Sequence, residues 1–259
     1  MTVTHSDTQA GFPPVRRLEL ERPWSWLSAG WQDLWQAPGV SLTYGALFCL
    51  VSFAITAGVF LADLTYLLLP LTAGFMLIGP MLAVGLYETS RRLETGQPVN
   101  LGAALFVATR SPMRLAFLGV TLMIVLLVWM RLATLLFALF LGTTQFPPLS
   151  EIVPTLLFTA NGLLLLIVGS AAGALLAALV FAISVVSVPL LMERDVDFMT
   201  AVITSIKAVT RNPKPMLLWA WLVALLTACG LVTLYIGLIV TFPLVGHATW
   251  HAYRDTIGR

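Results

Sequence analysis

Charge is what this sequence has least of. Of its 259 residues only 10% are Asp, Glu, Lys or Arg, and 59% are hydrophobic. A water-soluble domain carries about 25% charged residues. So few charges cannot cover a water-facing surface, so lipid must be the solvent for much of the chain. The net charge of +2 gives no reason to expect a nucleic-acid partner. The two cysteines, Cys49 and Cys229, sit in apolar runs, which argues against a disulfide framework. There is no Gly-rich phosphate loop, no GxSxG and no His–Glu cluster. The apolar runs hold no paired carboxylates for acid–base work. No enzyme is expected. No stretch is long and polar enough to form a separate soluble domain.

The apolar runs themselves give an all-α reading. Residues 1–22 hold Pro13, Pro14, Arg16, Arg17 and Arg22 without an apolar core. They predict a disordered cytoplasmic tail, not a cleaved signal peptide. The first span then serves as the insertion signal. Trp24, Leu27, Trp31, Leu34 and Trp35 recur at helical spacing, with Ser28, Gln32 and Asp33 opposite. This predicts a helix lying at the membrane interface. Span one is expected at about Ser41–Ala62, and span two at about Leu67–Tyr87. Span three is expected at about Met113–Phe140, and span four within Leu156–Leu191. The last run, 216–253, is roughly twice the length a bilayer needs. It is divided near Gly230–Thr233 into spans five and six. Segments 99–109 and 198–209 predict two further interfacial helices, the second with Phe198, Val202, Ile206 and Val209 on one face.

Charge sign orients the bundle. With six spans, the tail, the two loops near 88–112 and 193–215, and the C-terminus share one side. They carry the Lys and Arg residues, Arg131 excepted, while the other side has Asp63 and Glu151. The positive-inside rule then puts both termini in the cytoplasm. A threefold internal repeat is also expected, each unit an interfacial helix, a proline junction and a helix pair. The units are about 23–91, 99–192 and 196–255 within one membrane domain, 23–255. Pro80, Pro189 and Pro243 fall at matching places in the second spans and predict kinks. Gly169, Gly173 and Ala177, spaced by four, predict close helix packing and make span four the expected central helix.

Few residues offer chemistry. Arg131 lies within span three, toward its outer end. It is read as a substrate or gating candidate, or as a structural residue that snorkels or pairs with Asp63 or Glu151. His247 and His251, four apart, would share a helix face and form a weak metal or haem pair. Methionines in the spans could serve copper, but packing is their ordinary role. No cofactor is expected beyond that weak haem or copper reading.

Three stretches carry a family likeness. They are Glu21-Arg22-Pro23-Trp24-Ser25-Trp26-Leu27, Gly79-Pro80 with Gly85-Leu86-Tyr87-Glu88, and the closing 242–255, Phe-Pro-Leu-Val-Gly-His-Ala-Thr-Trp-His-Ala-Tyr-Arg-Asp. With them, residues 20–255 resemble the bacterial predicted integral membrane proteins of domain-of-unknown-function family 2189. The resemblance implies a multi-pass protein of the bacterial inner membrane without an established activity. Some members are labelled putative cytochrome c oxidase subunits. That label does not transfer, because His5, His247 and His251 are too few for an oxidase's haem and copper centres. The sequence reading is a non-enzymatic scaffold or accessory subunit in the lipid bilayer, self-associating or beside other membrane proteins such as a respiratory complex. The alternatives are a transporter or channel for a small or lipid-like solute, and haem or metal handling.

Overall fold

The computed structural model describes residues 12–106, 112–142 and 149–258. The expected junction at Arg110-Ser111 lies outside them. The fold is all-α. Helices α1 (Arg22–Gln36) and α10 (Phe198–Arg211) are amphipathic, and each leads into a long apolar helix, α2 (Pro38–Leu61) and α11 (Pro213–Val232). One non-helical residue makes each turn. Ala37 has φ −130° and ψ 55°, and Asn212 has φ −127° and ψ 54°. Helical geometry is disfavoured for the residue before a proline. Proline itself, with fixed φ and no N–H, suits the first helical turn. Helix α6 (Pro112–Leu141) also opens on proline.

The partner helices are interrupted where proline removes a hydrogen bond. Helices α3 (Leu68–Leu82) and α4 (Val84–Glu94) meet at Ala83, just past Pro80. Helix α5 (Leu101–Leu105) follows, capped by Asn100. Helix α7 (Leu149–Phe158) turns at Thr159 into α8 (Ala160–Ser184), which breaks at Val185-Val186 before α9 (Ser187–Glu193). Pro189 lies in that short helix. Pro243, by contrast, sits inside an unbroken helix, α12 (Leu238–Ile257).

Among the described residues five stretches are long and apolar enough to cross a membrane: Pro38–Leu61, Thr65–Glu94, Met113–Leu141, Ala160–Glu193 and Pro213–Val232. The closing run is two helices, α11 and α12, joined by a turn at 233–237. Leu234 and Tyr235 there have φ of 52° and 67°, a region unusual outside glycine. The Tyr235 hydroxyl shares a 2.9 Å hydrogen bond with Thr56 of α2, which fixes the turn.

The core gathers around α12, not α8. Nearly every residue from Gly246 to Ile257 is buried or half-buried, against α1, α2, α4 and α11. A Cβ at Gly30 of α1 would stand 2.6 Å from the Ala248 nitrogen. Glycine there lets the two helix backbones touch. The expectation of α8 as the packing centre is corrected on this point. A Cβ at Gly169 would meet nothing within 4 Å, one at Gly173 would meet only the Trp129 indole, and Ala177 packs in a small satellite cluster with Leu77 and Leu122.

The amphipathic helices divide their residues between the bundle and its surroundings. Helix α1 buries Pro23, Trp26, Gly30, Asp33 and Leu34 while Trp24, Trp31 and Trp35 stay exposed. Helix α10 buries Ala201, Thr204, Ser205 and Ala208. In both helices small residues lie on the protein-facing side, in α1 beside the buried Trp26 and Leu34, while Trp24, Trp31, Trp35, Met199 and Ile206 face outward. Nor do residues 16–21 hang free as a loose tail. Arg16 N–H donates to the Thr256 carbonyl at 2.8 Å, and Leu18 N–H to the Asn212 side chain at 2.8 Å.

Gly45 supplies a direct check of this packing. A Cβ there would lie 2.4 Å from the Ile239 carbonyl oxygen, whereas one at Gly58 on the same helix meets open space. Gly45→Ala is expected to lower stability by about 1–3 kcal/mol through overpacking. Gly58→Ala should cause no loss. Tryptophan-fluorescence thermal unfolding in mild detergent compares them, and equal responses would remove the close approach of α2 to α12.

Candidate functional site

Two features stand out, at opposite ends in polarity. The first is a polar lock on the last eleven residues of α12. His247 is fully buried, with Nε2 2.9 Å from Ser41 Oγ and Nδ1 2.8 Å from Ser90 Oγ. One turn on, His251 Nε2 lies 2.8 Å from Asp33 Oδ2 of α1. Trp250 donates to Glu94 at 3.2 Å. Tyr253 donates to Glu193, and Arg254 bridges Glu94 at 3.0 Å and Glu193 at 2.5 Å. Asp255 accepts from Arg22 at 2.6 and 2.7 Å and from Trp26 at 2.9 Å. Helix α12 thus binds α1, α2, α4 and α9 through one short motif. Burial of Asp255 pushes its carboxyl up, but the hydrogen bonds from Arg22 and Trp26 and the nearby arginine charges outweigh this. The group is held below the usual carboxylate range. Beside the lock, Glu88 is buried and paired with Arg91 and Arg92, each at 2.7 Å.

The second feature is an apolar cavity of about 800 Å³, within the roughly 300–1,000 Å³ of ligand pockets. Helices α3 and α6 form one wall. Helices α8 and α11 face each other across it without packing along one another. Gly169, Gly173 and Ala177 line the α8 side. Their small side chains leave room instead of drawing a helix close. None of the described lining residues is charged. Three of its hydroxyls are spent within their own helices. Ser184 donates to the Val180 carbonyl at 2.6 Å, Thr249 to Val245 at 2.7 Å and Thr134 to Met130 at 2.8 Å.

The candidates from sequence are scattered by this geometry. Arg131, Asp63 and Glu151 are exposed, and Arg131 makes no ion pair among the described residues. None of the three lines the cavity. The two histidines share a face but bond to different partners, and both ring nitrogens of His247 are engaged. A metal at His247 would have to displace Ser41 or Ser90. Among the described residues no group of three or more His, Cys, Asp or Glu side chains is placed to hold a metal ion. Pro80 and Gly79 line the cavity, next to the break that Pro80 precedes. Sequence reasoning missed Ser41 and Ser90, whose partners are 206 and 157 residues away. It also left the Glu94–Arg254–Glu193 link unseen. The available signal was that six of the nine residues from His247 to Asp255 are polar or ionisable and lie beyond the apolar half of α12.

The family model described as predicted integral membrane protein, domain-of-unknown-function family 2189, matches residues 68–193. This bears out the family resemblance from α3 to α9, the stretch that supplies most of the cavity wall. The closing motif of α12 lies outside the matched residues. No curated protein and no solved structure matches the chain. The protein is an integral membrane protein that passes through the bilayer more than once.

The polar lock has a pH signature. A carboxyl whose folded pKa is depressed stabilises the fold above its unfolded value and loses that contribution as pH falls toward the folded value. Asp255→Asn should cost about 1 kcal/mol near neutral pH, since Arg22 is partly solvent-screened. The difference from the parent protein should narrow only below about pH 4, as the parent's own carboxyl protonates. Thermal unfolding across pH in detergent measures the gap. A gap that is absent at neutral pH would show that the Arg22–Asp255 pair contributes nothing.

Proposed function

We propose that this protein binds a lipid-like apolar solute inside the bilayer, in the cavity bounded by α3, α6, α8 and α11, and that it does so without catalysis. The observation that carries the reading is the cavity itself: about 800 Å³ with no charged residue in its described lining. An ion or water path would need polar walls or charged rings. An uncharged wall favours a solute already dissolved in lipid. The gap between α8 and α11 supplies lateral access, so the solute need not enter from water.

The reading includes six crossings, with α12 as the sixth, three repeated units, and both termini on the cytoplasmic side of a bacterial inner membrane. Three observations support this. Arg16 bonds to Thr256 and Arg22 to Asp255, which requires an even number of crossings between them. The junctions at Ala37 and Asn212 share their geometry. The Lys and Arg residues other than Arg131 fall on one side. Arg131 then serves as an outer-end anchor that reaches the interface.

An accessory or scaffold role, beside a respiratory complex or through self-association, is the less specific reading, because no surface distinguishes a protein partner from lipid. Haem or copper handling at His247 and His251 stands lower still, since Ser41, Ser90 and Asp33 already hold those rings.

The cavity can be filled without disturbing a neighbour, because a Cβ at Gly169 meets nothing within 4 Å. Wild-type protein in mild detergent should bind a radiolabelled long-chain hydrocarbon saturably. Gly169→Phe should weaken that binding at least about tenfold, equivalent to about 1.4 kcal/mol, with thermal unfolding unchanged. Equal binding by both proteins would overturn the cavity reading.

A further inference from the structure

A buried tyrosine gives the cavity a polar group for which the described residues supply no partner. Tyr87 of α4 borders it and is 3% exposed. Its hydroxyl makes no hydrogen bond among the described residues. The serine and threonine hydroxyls described above can turn back to a carbonyl one helical turn earlier. A tyrosine hydroxyl stands too far from its own backbone to do so. The buried side-chain atoms that are both sealed and unpartnered are Trp219 Nε1 and Thr241 Oγ1. The Tyr87 oxygen is not among these sealed atoms, and Tyr87 is one of the residues that line the cavity.

Position and charge narrow what could meet it. Tyr87 lies one turn before Arg91 and Arg92, at the end of the cavity nearest the polar lock. Trp219, fully buried, lines the same cavity. Gly169 and Gly173 lie on the α8 wall, where a long chain has room. A buried hydroxyl without a partner carries a desolvation penalty that an incoming acceptor relieves. An anionic headgroup would gain that hydrogen bond but would be stranded without a cation, since none of the described lining residues is charged.

We infer that the cavity takes a neutral lipid bearing a carbonyl group, with the Tyr87 hydroxyl donating to the carbonyl oxygen and the apolar tail lying along α8. This deepens the cavity reading and rests on it. The shared chemistry is a neutral carbonyl at the head of a long apolar chain, as in an acylglycerol ester or an isoprenoid quinone.

The test is competition against the labelled hydrocarbon on the full chain in mild detergent, with four competitors. These are a plain hydrocarbon, a diacylglycerol, an isoprenoid quinone and an anionic phosphatidic acid. At least one neutral carbonyl lipid should compete about tenfold better than the hydrocarbon of matched length, and whichever does identifies the source. Tyr87→Phe should erase that ratio while leaving hydrocarbon binding and thermal unfolding as they were. A ratio unchanged in Tyr87→Phe, or a preference for phosphatidic acid, would overturn the headgroup assignment while the cavity reading stands. Absence of hydrocarbon binding to the wild-type protein would instead overturn the cavity reading, and this inference with it.

Discussion

Three prolines leave backbone groups without partners in a place where water cannot serve them, and the bundle is arranged around that need. In lipid an unsatisfied peptide group is costly, so each must find protein. Past Pro80, the Leu86 N–H turns to Ala83 and releases the Leu82 carbonyl, which accepts the Tyr44 hydroxyl at 2.7 Å. At the break before Pro189, the Val186 N–H finds Ser205 Oγ of α10 at 3.2 Å, and the Ile183 carbonyl finds the Ser187 hydroxyl. Pro243 cannot donate to the Ile239 carbonyl, and it is against that oxygen that Gly45 brings α2 closest. Each interruption therefore fixes where its neighbour must pack.

These contacts concentrate order at one end. Residues 83–90 and 183–191, with most of 246–257, are buried together, and the polar lock is built on the same turns. Further along, the helices are held by fewer large side chains, and the small residues of α8 leave them apart. The result is a tight base and an open upper half. That division suits a protein whose solute is itself part of the solvent, because only the open half needs to admit it.

Much of the architecture was legible in the sequence. The apolar runs, the proline at each helix entrance and the division of the last run all appear where residues 38, 112, 213 and 233–237 place them. Facing was less legible. A hydrophobic stripe points inward only when water is the alternative, so Trp24, Trp31 and Trp35 could turn out and Gly30 and Asp33 could turn in. The motif Gly169, Gly173, Ala177 was visible, but small residues permit either a close helix or a space, and spacing cannot say which. His247 and His251 looked like a ligand pair because helix geometry aligns them. Their actual partners, Ser41, Ser90 and Asp33, lie more than 150 residues away in sequence and carry no local signal.

The clasp between Arg16 and Thr256 bears on how the molecule is made. Helix α12 is synthesised after α1, α2 and α4, yet it supplies the centre against which they close. Until it arrives, five helix stretches sit in lipid with their polar faces and freed carbonyls waiting. The contacts that complete the base span nearly the whole chain, and forming them carries the entropy cost of closing so large a loop. The closing motif of α12 is thus where helices from both ends of the described chain are joined into one base.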